Sequence, residues 1–249
     1  GAPLVTASQT CSEFNRHVDL VKRESRDFGI EWLALGIDPF HSVDATPRMP
    51  KARYGIMRDY LPTRGTSGML MMHSTATVQA NYDYADESDM VAKMQMALAC
   101  SPITSALFAN SSISEGRANG YISKRVEIWR DVDPDRCGIL PFVFRDDFGY
   151  RDYIEWVLDV PMFFVVRDHR YLPAKGMTFR DFMRSGFDGV PAMPADWNLH
   201  LTTVFPEVRL KRYIEVRGAD CVPRELICAY PTLWKGLLYD NDACAAAWD

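Results

Sequence analysis

The feature that most constrains this chain is an alternation of apolar and polar residues between positions 208 and 217. Only Arg212 interrupts the apolar row. Side chains that alternate with a period of two predict a β-strand with one face on a core and the other turned outward. The apolar row is Val208, Leu210, Ile214 and Val216, and the polar row is Arg209, Lys211, Tyr213, Glu215 and Arg217.

The polar row carries a single carboxylate, Glu215, after a series of cations. Guanidinium and ammonium groups bind phosphate oxygens, and a carboxylate binds a divalent cation. This face therefore suits a polyphosphate with its metal. It also suits an outer sheet face covered by salt bridges, and the pattern alone leaves both interpretations open.

A second strand is predicted over Ser74–Tyr84, where alternate residues are again polar. Such a face provides the hydrogen-bonding groups that a small polar ligand requires. An exposed, threonine-rich sheet face is the equal alternative, because threonine favours strands by itself. The polar residues are Thr75, Thr77, Gln79, Asn81 and Asp83.

Composition excludes several classes of protein. Of the 249 residues, 47% are hydrophobic and 24% are charged, as in an ordinary globular protein. The net charge of −5, without a basic stripe, gives no reason to expect nucleic acid. The longest apolar runs are far shorter than the roughly 20 residues of a membrane span. Six sparse cysteines without C-x-x-C spacing indicate a reducing compartment, and we expect a cytoplasmic protein.

Local patterns predict the remaining elements of what we expect to be one domain, since no linker or repeat is visible. We expect a buried strand at Ile30–Ile37, an extended segment at Tyr121–Arg130 and a hairpin over 161–172. We expect helices at 6–27, Lys51–Tyr60, Glu87 to about Phe108, Gly149–Leu158, Phe179–Arg184 and after Pro223.

The chain contains no phosphate-binding loop, dinucleotide fingerprint, zinc-protease motif or serine-nucleophile motif. The five histidines form no zinc spacing. A nucleotide would therefore have to bind on a sheet face, together with metals.

Eight ordered segments give the chain a resemblance to glutamate–cysteine ligases of the plant and proteobacterial type. The related ergothioneine-pathway ligases are the nearest alternative. The resemblance runs from Gly1 to about Asp240. The segments are RYGIMRDYLP, TATVQAN, ITSALFANS, ILPFVF, DVPMFF, GMTFRDF, HLTTVFPEVRLKRYIEVRGAD and GLLYD.

The resemblance implies an α+β fold like that of glutamine synthetase, a curved antiparallel sheet with helices packed on its outer side. ATP and Mg²⁺ are the implied cofactors, and L-glutamate and L-cysteine the implied substrates. ATP phosphorylates the γ-carboxylate of glutamate, and the cysteine amine attacks the resulting acyl phosphate. We expect residues 1–249 to be one catalytic-domain fragment, and the protein to be a monomer or homodimer without nucleic-acid or membrane partners.

Site residues carry over from the family position by position. Glu215 matches the magnesium-binding glutamate, and Arg217, with Arg209 and Lys211 on the same face, matches the nucleotide phosphate site. Arg53 and Arg125 match arginines that hold substrate carboxylates. Thr77, Gln79 and Asn81 match the strand that lines the substrate and metal site, and Asn81 is the implied metal ligand. Phe163 stands where plant enzymes carry a tyrosine near the cysteine pocket.

The resemblance also implies a redox-sensitive disulfide between Cys11 and Cys228, although two unrelated buried thiols are the alternative. The family's other magnesium-binding glutamates lie in an acidic segment before the position of Gly1, so we expect a fragment that also lacks the C-terminus. With Glu215 as its one carboxylate, such a fragment should bind Mg²⁺ weakly and be inactive alone. A non-catalytic, amino-acid-binding or regulatory paralogue is the alternative function.

Overall fold

The structure is a computed structural model and describes residues 3–248. The helices are α1 (Ala7–Arg26), α2 (Ala52–Tyr60), α3 (Gly68–Ser74), α4 (Glu87–Leu107), α5 (Lys124–Arg130), α6 (Tyr150–Asp159), α7 (Phe179–Ser185), α8 (Pro194–Leu201), α9 (Arg224–Ile227), α10 (Ala229–Tyr239) and α11 (Asn241–Trp248). The strands are β1 (Ala80–Tyr82), β2 (Ile113–Ser114), β3 (Arg117–Ala118), β4 (Cys137–Gly138), β5 (Phe164–Arg167), β6 (Arg170–Pro173), β7 (Phe205–Pro206), β8 (Val208–Leu210) and β9 (Ile214–Val216).

The stretch from Val208 to Val216 is a hairpin, so the prediction of one continuous strand is wrong. β8 and β9 pair antiparallel, with Arg209 opposite Glu215 and Leu210 opposite Ile214. Residues that face each other across an antiparallel pair point to the same side of the sheet. The chain turns at 211–213 and returns with its odd-numbered residues still opposite odd-numbered ones. One continuous strand and this hairpin therefore give the same alternation of polar and apolar residues, and the sequence pattern does not distinguish them.

β9 is the centre of a three-stranded antiparallel sheet in the order β1-β9-β8. Its apolar face packs on helix α4, which supplies the fully buried Met90 and Met94. Helix α10 joins the same core through Tyr230 and Trp234. Because the apolar face of the sheet is covered by helices, its polar face lies on the opposite side, toward α5 and β7.

A second hydrophobic cluster lies beyond that polar face. Helices α2, α3 and α5 contribute Met57, Met71 and Ile128, and the β5–β6 hairpin contributes Phe164. Phe205 of β7 is half-buried against the same cluster. The polar face of the central sheet thus lies between two apolar layers, and this arrangement decides how far its charges are exposed.

Three further predictions of local structure are wrong. Ile30–Ile37 is not a buried strand, since Trp32 is 59% exposed and the segment's one pairing is an isolated bridge from Ile37 to Thr75. Tyr121–Arg130 is not extended, because Ser123 caps helix α5 and its side chain accepts the N–H of Val126. Within Ser74–Tyr84, only β1 is a strand.

The other expected helices and the 161–172 hairpin are confirmed. The chain is therefore an α+β protein, with a small antiparallel sheet between helical layers. Between Pro3 and Trp248, the structure has no helix that is both long enough and apolar enough to cross a membrane.

Candidate active site

Glu215 is the centre of a cluster of charges on the polar face of the sheet. Arg209 donates through Nη2 to both carboxylate oxygens, at 2.8 and 3.0 Å. Lys211 Nζ lies 2.8 Å from Oε2, and Arg217 donates to Oε1. The sequence placed these four residues on one face, and the hairpin brings them into direct contact.

The cluster is buried, so the expectation that this face is turned outward is wrong. Exposed fractions are 7% for Arg209, 3% for Glu215 and 9% for Arg217. Burial alone would raise the pKa of Glu215, but hydrogen bonds from Lys211 and Arg209 and the charges of Arg209 and Arg217 lower it to about 2. The carboxylate is therefore ionised at neutral pH and serves as the counterion of three cations.

Two aromatic rings that the sequence did not identify lie close to Arg217. Its guanidinium carbon is 6.0 Å from the ring centroid of Trp129 and 5.8 Å from that of Phe205. Burial lowers the pKa of Arg217, and the charge of Arg209 lowers it further. Trp129 belongs to the segment predicted as extended, so no sequence signal placed it here.

Glu207 is a second carboxylate that the sequence analysis missed. Burial raises its pKa, and the charges of Arg125 and Arg217 oppose that rise. A Cβ added at Gly218 would lie 2.8 Å from Glu207 Oε2, so the carboxylate approaches the backbone closely at this glycine. The sequence did contain a signal for Glu207. This residue lies two positions before Arg209 and so extends the odd-numbered polar row by one residue.

Of the polar residues predicted for the neighbouring strand, only Asn81 lies in β1. Asn81 is directly opposite Glu215 in the pairing of β1 with β9, and its side chain is exposed. Gln79 is exposed as well. The hydroxyl of Thr77 instead lies 2.7 Å from the carbonyl of Ala219 and 3.1 Å from that of Arg217, so it fastens the backbone of the neighbouring segment.

Arg125 is buried at the first turn of α5 and close to Arg217. Its Nη1 donates to the carbonyl of Gly218 at 2.9 Å and its Nη2 to that of Arg217 at 3.0 Å. The Nε atom is buried without a partner in the described part of the chain. Burial lowers the pKa of Arg125, whereas the charges of Glu207 and Asp220 raise it. The guanidinium therefore combines one vacant donor with two that support the backbone.

Arg53 and Phe163 have no direct contact with the Glu215 cluster. The Arg53 guanidinium carbon lies 5.7 Å from the ring centroid of Phe164, and its buried Nε has no partner within residues 3–248. Phe163 is buried against Arg136, whose guanidinium is 3.9 Å from its ring centroid.

Phe163 and Tyr60 also line a cavity of about 430 Å³. The Phe163 ring centroid is 6.4 Å from that of Phe205, which joins this region to Arg217.

The donors for Mg²⁺ in the described chain are few. No group of three or more histidine, cysteine, aspartate or glutamate side chains is arranged to hold a metal within Pro3–Trp248. Mg²⁺ commonly takes one or two protein carboxylates together with substrate phosphates and water. Glu215 with the amide of Asn81 fits that arrangement once phosphate oxygens have replaced the carboxylate as partner of the cations.

Cys11 and Cys228 are free thiols that lie close together, although they are 217 positions apart in the chain. Burial, together with a hydrogen bond and electrostatic repulsion from Cys11, raises the pKa of Cys228 to about 11. Nearby, Arg224 donates to Asn15 at 2.6 Å and pairs with Asp19, which attaches α9 to α1. The fold therefore brings the expected cysteine pair together in its reduced form.

The whole chain matches a known protein family. The profile of glutamate-cysteine ligase family 2 (GCS2) matches residues 1–249. The chloroplastic glutamate–cysteine ligase of Arabidopsis thaliana is 50% identical over the whole chain, which covers 48% of that relative. The Brassica juncea enzyme is 49% identical, and chloroplastic glutamate–cysteine ligase B of Oryza sativa subsp. japonica is also 49% identical. Both matches include the whole chain, which corresponds to 49% of the Brassica juncea enzyme and 51% of the Oryza sativa enzyme.

The chain thus spans about half the length of the curated relatives it matches. All of these relatives are chloroplastic proteins, so the expectation of a cytoplasmic protein is wrong. That expectation rested on the sparse cysteines, which indicate a reducing compartment but do not distinguish the cytosol from a plastid. The match over every residue, together with the Glu215 cluster on a sheet face, establishes that the chain belongs to glutamate-cysteine ligase family 2.

Proposed function

We propose that the protein carrying this chain is an ATP-dependent carbon–nitrogen ligase that joins L-glutamate to L-cysteine, the first step of glutathione biosynthesis. The observation that carries the proposal is the buried cluster of Arg209, Lys211 and Arg217 around one carboxylate. Three cations with one counterion leave an excess of positive charge, which suits a polyphosphate. Membership of the family supports the same reaction.

Phosphoryl transfer depends on cations positioned where negative charge develops. In the proposed reaction, ATP transfers its γ-phosphoryl group to the γ-carboxylate of glutamate. The amine of cysteine then attacks the acyl carbon, and phosphate leaves. Arg209, Lys211 and Arg217 hold the nucleotide phosphates. Glu215 and Asn81 would contribute to holding Mg²⁺, which would supply neutralisation of phosphate charge.

Glutamate is the substrate assigned to the arginine side of the site. Arg125 and Arg53 each have a buried Nε donor without a partner in the described residues, which suits a carboxylate ligand. We assign Thr77 and Gln79, which precede β1, to the same substrate. Phe163 belongs to the side of the acceptor amino acid, where its apolar ring suits a thiol better than a charged side chain.

We infer further that the fold is glutamine-synthetase-like, with residues 1–249 forming one part of the catalytic domain. The antiparallel order β1-β9-β8, with helices α4 and α10 on the apolar face, supports this. The chloroplastic relatives support a plastid location. We expect a monomer or homodimer whose partners are small molecules.

ADP release by the intact protein, with Mg-ATP, glutamate and a panel of acceptor amino acids, tests the function. We expect release that depends on cysteine and yields γ-glutamylcysteine. Release with a different acceptor would indicate another γ-glutamyl ligase, such as an ergothioneine-pathway enzyme. A folded protein without release for any acceptor would contradict the proposal and favour an amino-acid-binding paralogue.

A further inference from the structure

Asp220 is a completely buried carboxylate whose hydrogen-bond donors are all neutral. It accepts the backbone N–H of Asn110 at 2.7 Å, the hydroxyl of Ser111 at 2.6 Å and the hydroxyl of Ser123 at 2.9 Å. A Cβ added at Gly36 would lie 2.5 Å from the Asp220 carboxyl carbon, so the backbone also closes tightly around it. A buried polar group requires hydrogen-bond partners, and these three donors provide them for Asp220.

Both hydroxyls continue the network into the first turn of α5. Ser111 Oγ accepts the N–H of Arg125 at 3.1 Å, and Ser123 Oγ accepts the N–H of Val126 at 3.2 Å as the helix cap. Each hydroxyl thus donates to Asp220 and accepts from a backbone donor that the helix leaves free. Asp220 therefore determines where α5 begins and which way its first turn faces.

Arg125 closes the network into a ring. From this first turn its guanidinium returns to the carbonyls of Arg217 and Gly218, three and two residues before Asp220. The side chain of Arg217 then leaves the same backbone toward Glu215. The orientation of both arginines thus depends on one carboxylate that contacts neither guanidinium.

We propose that Asp220, acting through Ser111 and Ser123, is a positioning residue that aligns Arg125 and Arg217 with the substrates. The inference rests on the proposed function for its kinetic consequence. Its structural consequence, a shift of the two guanidinium groups when the network is cut, is independent of any reaction.

The first test compares Ser123→Ala with Thr178→Ala in the intact protein. Thr178 caps α7, which has seven residues like α5, and its hydroxyl accepts the N–H of Asp181 at 3.1 Å. Both changes remove one helix cap, but Ser123→Ala also removes a donor to the buried Asp220 and should therefore lower stability more. We expect the KM values for glutamate and ATP to rise about tenfold in Ser123→Ala and to stay unchanged in Thr178→Ala. Ser123→Thr retains the hydroxyl and should restore both values.

The second test reads the arginines directly through Trp129, whose ring centroid is 5.6 Å from the Arg125 guanidinium and 6.0 Å from that of Arg217. The protein is labelled with 5-fluorotryptophan, and Trp129→Phe assigns the Trp129 fluorine resonance. We expect that resonance to shift in Ser123→Ala and in Gly36→Ala, which crowds Asp220 without removing charge. Thr178→Ala should leave it in place.

Unchanged KM values together with an unshifted Trp129 resonance in Ser123→Ala would overturn the inference. A loss of stability with no other effect would assign Asp220 a purely structural role. If the wild-type protein releases no ADP with any acceptor, the proposed function fails, and the Trp129 resonance alone decides the positioning role.

Discussion

At the scale of single residues, the sequence predicts those parts of the candidate site that follow a regular spacing and misses those that depend on burial. Arg209, Lys211, Glu215 and Arg217 were predicted together because their spacing alternates, and antiparallel pairing preserves that alternation across the turn. Glu207 follows the same spacing but precedes the apolar row. The vacant donors of Arg125 and Arg53 depend on burial, which is a property of the packed chain and has no period in the sequence.

Replacing Glu215 by glutamine should abolish ATP-dependent turnover in the intact protein. The neutral amide cannot balance Arg209, Lys211 and Arg217, so the three cations lose their common counterion and repel one another. We expect activity to fall at least about 100-fold. The free energy of unfolding should fall by about 3 kcal/mol. ADP release and urea unfolding measure the two effects.

Glu155→Gln is the matched control for Glu215→Gln. Glu155 pairs with Arg180 at the surface, where both side chains are substantially exposed, so its removal should cost less than about 1 kcal/mol. It should not change turnover. Full activity in Glu215→Gln would end the assignment of this carboxylate to the reaction.

At the level of elements, the sequence predicts the longer helices well, but it misses α3, α5 and α8, and it predicts the strands poorly. A helix satisfies its own backbone, so local spacing and caps such as Thr6 before α1 are sufficient. A strand needs a partner edge that the local sequence does not specify. Ile30–Ile37 has strand-forming residues but makes one isolated bridge, and for that reason it is not a buried strand.

Helices α6 and α8 meet at His200, which is buried and predicts a pH dependence of stability. Its Nε2 lies 2.9 Å from the carbonyl of Val157, which can only accept, so Nε2 carries the proton. Burial lowers the pKa of His200 to about 4, assisted by the charge of Arg136 and opposed by the bond to Val157. The unfolded chain takes up this proton near pH 6.5, and the folded protein does not until about pH 4. Stability should therefore fall as the pH decreases from 6.5 to 4.

Urea unfolding between pH 7.5 and pH 4 measures this loss, which we expect to reach at most about 3 kcal/mol. His200→Gln should be less stable at neutral pH and lack this part of the slope. His169→Gln, in the exposed turn between β5 and β6, should retain the slope. Identical slopes in the wild-type protein and His200→Gln would refute the assignment.

At the scale of the whole molecule, the first and last parts of the described chain meet where the Cys11 and Cys228 thiols lie close together. A disulfide here should raise the free energy of unfolding by about 2–4 kcal/mol, because it closes a very long loop in the unfolded chain. The high pKa of Cys228 means that this thiol is protonated at neutral pH, so oxidation through the Cys228 thiolate should accelerate as the pH rises toward 11.

Thermal unfolding after oxidation and after reduction checks the disulfide, with Cys228→Ser as the variant that cannot form it. Cys100→Ser is a matched control, since this thiol is buried in the main core and the cysteine pair remains intact. An equal melting temperature for oxidised and reduced wild-type protein, with both thiols still titratable, would rule out the bond.

The internal counterion has a consequence for the order in which ligands bind. While Glu215 holds three cations, a divalent ion would have to compete with all of them for the same oxygens. A polyphosphate that takes over the cations releases the carboxylate, and the ion can then use it. Each ligand therefore creates part of the other's site, and by thermodynamic reciprocity the two must enhance each other's affinity equally. Calorimetry should accordingly find weak binding of Mg²⁺ alone, weak binding of metal-free ATP, and strong cooperativity between them.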